Sequence, residues 1–533
     1  MKKFVKSNKY SLIIALILVF ISSVFSTIVQ FNKGEVLDNA LARDKSITLF
    51  SIISLILFIF LEIIFHYFYD QYRASFTVNC ISQLRTSIFK NTINNNYVNF
   101  YKNTKGEFLS KYTNDVEMIQ NSYFATIPLL IEIIIKIILV SIGLFILDWR
   151  IAIVTLVLLT TPLYIPKIID KKLQKAKKEY SEAFENNLSK VTDWLAGFEI
   201  IKNYSIESRI IDKFTTSNKY TMQKALKNKR INYTTNLITT LISYLSYFII
   251  LTLSATFVYR QIFTAGDFFI AIGMIDQLSY PLIALSVFIQ DLISIKPICN
   301  EIMNIAEMKE DDESKRLNPT TLTVNDNILF DNITYGYNED NPLISDFSLL
   351  IQKNQKNLIQ GRSGTGKTTL INLLLKYYTP DKGNIYLDNK PIQNIDNLFG
   401  IITIVRQEAF LFNDTLKNNL TMYSDISDDV ILDVLEKVNL HKFANLSSLN
   451  MDIAEGGNNL SGGEKKRLCI ARALLRNTNV LIFDEPLANL DNENVSTIED
   501  ILLNINDRTL IIVSHQFSES KLNQFDKIIK LDA

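Results

Sequence analysis

"GRSGTGKTTL", residues 361–370, stands between the apolar run NLIQ (357–360) and INLLLKYY (371–378), which reads as a helix. Strand, Gly-rich loop and helix in that order are what a phosphate-binding loop requires, and Gly361 to Thr368 fits G-x-x-x-x-G-K-[ST]. Gly364 and Gly366 let the backbone come close enough for successive N–H groups to face phosphate oxygens. Lys367 brings a point charge to the β- and γ-phosphates, and the Thr368 hydroxyl can bind Mg²⁺. Such a loop commits the C-terminal part of the chain to an α/β P-loop fold, in keeping with the short β-branched runs, turns and helices around it.

Two further stretches carry chemistry. VLIFDEPLANLD (480–491) is an apolar strand that ends in two carboxylates. Alternate strand residues face opposite ways, so the two carboxylates can differ in role. Asp484 can hold the Mg²⁺ shell while Glu485 polarises an attacking water. NNLSGGEKKRLCIARALL (458–475) places a Ser and two Gly at the start of a helix, a second anion site in one domain. Taken alone, that stretch is equally a helix cap.

The N-terminal part is of another kind. Of 533 residues 48% are hydrophobic, and the mean hydropathy is +0.13, which points to a membrane portion. Six apolar stretches have membrane length: about 10–32, 46–69, 125–147, 150–166, 233–259 and 264–293, the fourth being short and carrying Pro162 and Pro166. The first is too long for a signal peptide and lacks a small-residue cleavage site. Lys-rich flanks put both termini and the two long inner connections on the cytoplasmic side. Those connections read as helices that extend past the bilayer, each interrupted by a glycine, Gly106 and Gly197. Each interruption is either a kink in a helical hairpin or a tip that docks on another domain.

Lys plus Arg balances Asp plus Glu at 55 each, so no nucleic-acid surface is expected. Cys80, Cys299 and Cys469 are too scattered for a disulfide framework or a zinc site. The expected organisation is a six-helix transmembrane domain over 1–300, a polar linker over 301–325 and a nucleotide-binding domain over 326–533.

In order along the chain stand ITYGY (333–337), GRSGTGKTT (361–369), VRQEAFLF (405–412), LSGGEKKR (460–467), LIFDEP (481–486), NLD (489–491) and IIVSH (511–515). This series resembles the nucleotide-binding domain of ATP-binding cassette (ABC) transporters. The whole chain resembles a half-transporter of the exporter type, six spans fused to one cassette. The resemblance implies that ATP is held by Tyr337 against the adenine, by Gly361, Arg362, Ser363, Gly364, Thr365, Gly366, Lys367, Thr368 and Thr369 around the phosphates, and by Ser461, Gly462 and Gly463 of a second subunit. Asp491 is implied at the dimer contact. Glu485, His515 and Gln407 are the implied catalytic set, with Thr368, Gln407 and Asp484 around Mg²⁺. The second anion site is thereby explained, since each cassette would supply the half that its neighbour lacks, in a homodimer or a heterodimer.

ATP would then drive alternating access and export of a peptide, an amphipathic drug-like molecule or a lipid across the cytoplasmic membrane, in a cell whose Ile, Asn and Lys usage suggests a bacterium. An importer or lipid flippase on the same frame, and a nucleotide-gated channel or regulatory subunit, are the alternatives. At membrane depth Glu132 and Lys136 are spaced to pair at i,i+4. With Glu62, His66 and Asp276 they either face neighbouring helices or line a polar cavity with Asn236, Tyr244, Tyr247 and Tyr280. The chain departs from the family pattern at Arg406, where proline is usual, in EPLANLD, and in the short MDIAEGG before the signature. No Cys/His peptidase segment is read ahead of the first span.

Overall fold

The computed structural model describes residues 1–95, 97, 100, 105–161, 165–307, 326–337, 342–362, 364–395, 397–488, 490 and 492–531. The chain divides into two compact units, one of Met1–Ile93 and Thr104–Met308, the other of Asn94–Asn103 and Lys309–Ala533.

The first unit is helical. Its principal helices are α1 (Lys9–Leu41), α2 (Lys45–Ile93), α3 (Thr126–Leu147), α4 (Trp149–Thr160), α5 (Ile165–Ala196), α6 (Glu207–Tyr259) and α7 (Ala265–Ser294). At 1.5 Å per residue the 49 residues of α2 and the 53 of α6 run about 75–80 Å, more than twice a hydrocarbon core of about 30 Å. These helices therefore combine a span with a polar extension, as the alternation of apolar and charged blocks predicts. Five helices among the described residues are long and apolar enough to cross a membrane, and their outward faces expose Ile17, Phe20, Ile53, Phe60 and Leu241.

The fourth expected span, 150–166, takes a different form. Asp148 caps α4 by accepting from Arg150 N (2.8 Å) and Ile151 N (3.4 Å), and the helix runs only 12 residues, about 18 Å. A new helix starts at Ile165, and Pro162, which has no N–H to continue a helix, lies outside the described residues.

Small residues let α1 and α7 approach closely. A Cβ added to Gly34 on α1 would lie 2.7 Å from Gly266 O and 2.5 Å from the Ile270 side chain, both on α7. One turn on, Asp38 accepts from Thr264 Oγ1 (2.6 Å) and Gly266 N (2.7 Å), satisfying a free N–H at the start of α7. Glu132 and Lys136 form the expected ion pair, at 2.6 Å. Outside the spans α5 and α6 pack together: Thr221 donates to Ala183 O at 3.2 Å, and Glu179 lies between Lys224 (3.0 Å) and Lys227 (2.9 Å).

Gly197 does break the second inner connection. It leaves helical geometry (φ −89°, ψ 17°) between α5 and a six-residue helix, Phe198–Asn203, and Ser205 turns the chain with φ 51°. Gly106 does not mark the first break. It sits inside the helix Lys105–Ser110, whereas the preceding helix ends at Ile93, with Asn94 and Asn95 already in a turn and a bend. One glycine costs a helix only about 1 kcal/mol, which its neighbours can offset.

The second unit carries two sheets. Strands β1 (Asn327–Tyr335), β2 (Ile344–Gln352), β4 (Lys382–Leu387) and β5 (Lys390–Pro391) form an antiparallel sheet in the order β2-β1-β4-β5. Strands β3 (Lys356–Gly361), β6 (Ile402–Val405), β7 (Val480–Asp484), β8 (Thr509–Val513) and β9 (Lys527–Leu531) form a parallel sheet in the order β6-β7-β8-β3-β9. Every residue of β7 and β8 is buried, as unbroken apolar runs in a doubly covered sheet require. Leu481, Phe483, Leu510 and Ile512 join one core, while Val480, Ile482, Ile511 and Val513 join the other, so the two-residue period of each strand separates the cores. Within this unit the Tyr97 ring stacks on Tyr377, with centroids 3.7 Å apart and planes 4° apart. The three cysteines are free and buried.

Candidate functional site

Parallel strands bring their carboxyl ends to one edge, and the sequence motifs sit at those ends. Ile359 of β3 pairs with Val513 of β8, which pairs with Asp484 of β7. That register carries the loop after β3, the Asp484-Glu485 pair and His515 to the same place.

The loop has the backbone that its glycines allow. Gly364 and Gly366 both take φ 90°, a left-handed conformation that side chains resist. Helix α8 (Lys367–Leu374) begins directly after Gly366 and points its free N–H groups into the loop. Lys367, 8% exposed, folds back to donate to Gly361 O (2.8 Å) and Arg362 O (2.9 Å), and its Nζ lies 4.0 Å from Glu485. Thr365 Oγ1 donates to Arg362 O at 3.0 Å. Thr369 and Tyr337 share a hydrogen bond of 3.0 Å, and the Tyr337 ring, 62% exposed, meets Tyr335 and Tyr378 edge-on. An exposed ring face is what stacking on a base requires.

Asp484 is buried at the end of β7. Burial pushes its carboxyl up, and the hydrogen bond from Arg406 pulls it partly back. Its Oδ1 lies 3.5 Å from the Thr368 hydroxyl, and its Oδ2 accepts from Arg406 at 3.1 Å. Glu485 follows in left-handed backbone, φ 49°. Its N–H donates to Val513 O (2.8 Å), its carbonyl accepts from Lys466 Nζ (3.1 Å), and both carboxylate oxygens lie 2.9 Å from His515 Nδ1.

These groups open on one cavity of about 1160 Å³, whose walls include Tyr337, Lys367, Thr368, Gln407, Glu485 and His515. Gly361, Arg362, Gly364, Thr365, Gly366 and Thr369 also face it. Ser363 and Asp491 lie outside the described residues. Gln360 and Lys530 line the cavity too, and no motif marks them. The pairing of Gln360 with Lys530 across β3 and β9 puts them there, a register that local sequence does not reveal.

Hard oxygen donors suit Mg²⁺, and the converging Thr368 hydroxyl and Asp484 carboxylate, with Gln407 on the same wall, fit that ion. Among the described residues no group of three His, Cys, Asp or Glu side chains forms a metal cage. A phosphate-bound Mg²⁺ needs none.

Ser461, Gly462 and Gly463 are not among the described residues lining this cavity. They start helix α9 (Gly462–Leu475), where Ser461 and Glu464 form a capping box: Glu464 N donates to Ser461 Oγ (3.2 Å) and Ser461 N to Glu464 Oε2 (2.9 Å). Lys442 holds Glu464 at 2.5 Å. The cap uses the Ser461 oxygen as acceptor and leaves its O–H to donate. Nothing described stands within 4 Å of where a Gly462 Cβ would be. The cap therefore does not use up the donor of Ser461 or crowd the space beside Gly462.

Comparison with known proteins agrees with this arrangement. Residues 12–282 match the ABC transporter transmembrane region and residues 344–488 the ABC transporter family. The chain is 29% identical over 526 residues to the Lactococcin-G-processing and transport ATP-binding protein LagD of Lactococcus lactis, covering 96% of this chain and 73% of that one. It is 27% identical over 543 residues to a Multidrug resistance-like ATP-binding protein MdlB of Buchnera aphidicola, covering 99% and 92%. It is 26% identical to an ATP-dependent lipid A-core flippase of Photobacterium profundum, covering 85% and 76%. A solved bacterial Atm1-family ABC exporter with ATP bound has the same fold, with a TM-score of 0.80 over 98% of this chain and 93% of that one at 21% identity. With a transmembrane region and one cassette fused in a single multi-pass chain, the protein belongs to the ABC transporter family and has the exporter-type half-transporter fold.

Proposed function

We propose that the protein is an ATP-hydrolysing exporter that works as a dimer of half-transporters. The observation that carries this reading is the separation of two anion sites on one cassette. The phosphate loop, Glu485 and His515 share a cavity, and the Ser461 helix start lies outside it. In the dimer each cavity is closed by the Ser461, Gly462 and Gly463 of the partner subunit, and Asp491 lies at that contact.

Tyr337 holds the base by stacking, and the loop N–H groups with Lys367 hold the phosphates. Thr368, Gln407 and Asp484 would hold Mg²⁺, which would supply positive charge against that of the phosphates. Glu485 accepts a proton from the attacking water. His515, in contact with both Glu485 oxygens, orients that carboxylate and reaches toward the γ-phosphate. Closure of the cassettes is favoured only as far as nucleotide binds the closed pair more tightly than the open one, and that difference drives alternating access.

The domain limits proposed are 1–300, 301–325 and 326–533, with six spans and both termini in the cytoplasm of a bacterial cell. The cargo class is peptide, amphipathic drug-like or lipid-like, in line with the lactococcin G, multidrug and lipid A-core names of the relatives. The decisive experiment is Glu485→Gln in lipid discs. ATP turnover is abolished, and an ATP-bound dimer accumulates that wild-type protein does not retain. Unimpaired hydrolysis would remove Glu485 from its role. Stimulation of wild-type ATPase across a panel of peptides, lipids and drugs then identifies the cargo.

A further inference from the structure

Arg406 directly precedes Gln407, and its guanidinium has three partners at once. Nη1 donates to Asp484 Oδ2 at 3.1 Å, and Nη2 donates to Asn372 Oδ1, on α8, at 2.6 Å. The guanidinium carbon lies 5.7 Å from the centre of the Tyr377 ring, which is itself stacked on Tyr97. Arginine can serve all three because it has five donors in a rigid fork and a flat face that stacks on a ring. The Asp484 side chain is 5% exposed and that of Arg406 29%, so the pair is largely withdrawn from solvent screening.

The two oxygens of this carboxylate are therefore divided. Oδ1 faces the Thr368 hydroxyl, while Oδ2 is held by a cation that belongs to the chain itself. A buried carboxylate needs a counter-charge, and Arg406 provides one from within the chain. When a divalent ion is held near Asp484, the guanidinium becomes a like charge beside it, and the two compete for one anion.

We propose that Arg406 is a resident counter-cation of the metal site, one that must loosen its hold on Asp484 before a divalent ion is held there. Asn372 and the Tyr377 face give the displaced guanidinium a seat in place, so it shifts without leaving the site. The site therefore binds divalent ions more weakly than it would with a neutral residue at position 406. This inference rests on the reading that Thr368 and Asp484 hold Mg²⁺.

The test is Mn²⁺ binding to the full-length protein in lipid discs with a non-hydrolysable ATP analogue, read from the paramagnetic resonance of free Mn²⁺. Arg406→Gln keeps the reach and loses the charge; Arg406→Ala loses both. Each is expected to bind Mn²⁺ roughly five- to tenfold more tightly than wild type, with affinity for the analogue in EDTA unchanged as the check of folding. Arg406→Lys, which keeps the charge, stays within about twofold of wild type. Unchanged or weaker Mn²⁺ binding by Arg406→Gln overturns the inference. If wild type and Asp484→Asn bind Mn²⁺ equally, the underlying reading of the metal site fails, and the inference fails with it.

Discussion

Glu485 occupies backbone space that a non-glycine residue enters at a cost of about 1–2 kcal/mol, so something must hold it there. Two hydrogen bonds do: its N–H to Val513 O, and its carbonyl from Lys466 Nζ. Lys466 is buried on α9, and burial lowers the pKa of its ammonium, with the nearby Glu485 and Asp484 charges among the groups that raise it. The signature helix thus reaches the base through a main-chain contact. Lys466→Met is expected to lower ATP turnover about tenfold with ATP affinity unchanged, because only the placing of Glu485 suffers. Equal losses in binding and turnover, measured by nucleotide titration and steady-state kinetics, would assign Lys466 a merely structural place. LSGGEKKR named this lysine as part of a motif, but its contact with Glu485 spans 19 residues and was not legible in the sequence.

The crossing of α1 and α7 is set by Gly34 and Gly266, which no motif marks. Gly34→Val would drive a branched side chain into Gly266 O and Ile270, so overpacking of about 1–3 kcal/mol is expected. Thermal unfolding in detergent should show a clear fall in midpoint. The matching control is Gly462→Ala, where a Cβ meets nothing within 4 Å and the midpoint should stay unchanged. Helix propensity favours both replacements over glycine, so similar falls for both would mean that the loss is not specific to the crossing. The capped start of α7 adds a second test: Asp38→Ala leaves Thr264 Oγ1 and Gly266 N without their acceptor, at a cost of about 1 kcal/mol. Replacement by asparagine, which still accepts, should recover most of the same midpoint.

The chain carries a phosphate loop and a signature helix start that do not line one cavity, and the proposed dimer of half-transporters makes a test at the scale of the whole molecule. Lys367→Ala and Ser461→Arg should each abolish turnover as separate proteins. Co-assembled, they form mixed dimers in which the intact loop of the Ser461→Arg copy meets the intact Ser461 of the Lys367→Ala copy. With random pairing of a homodimer, about one quarter of all sites would then be intact. Turnover that reappears on mixing, in an ATPase assay, is the expected outcome. Persistent inactivity of the mixture would point to an obligate heterodimeric partner or to a cavity complete within one chain.

Local patterns determined a great deal. Runs of apolar residues placed the membrane-crossing parts of α1, α2, α6 and α7, because a helix satisfies its own backbone polar groups in lipid. The loop at 361–368 stated its own chemistry, since glycine, lysine and threonine act there through adjacent atoms. What the tertiary structure alone decided is non-local. The order β6-β7-β8-β3-β9 brings residues 361–368, 484–485, 515 and 530 to one edge, and no periodicity in the chain encodes which strand lies beside which. The seat of Arg406 between Asp484 and Tyr377 and the grip of Lys466 on Glu485 have the same origin. Each depends on packing between segments far apart in sequence, where burial and hydrogen bonding select one arrangement among many that local propensity permits.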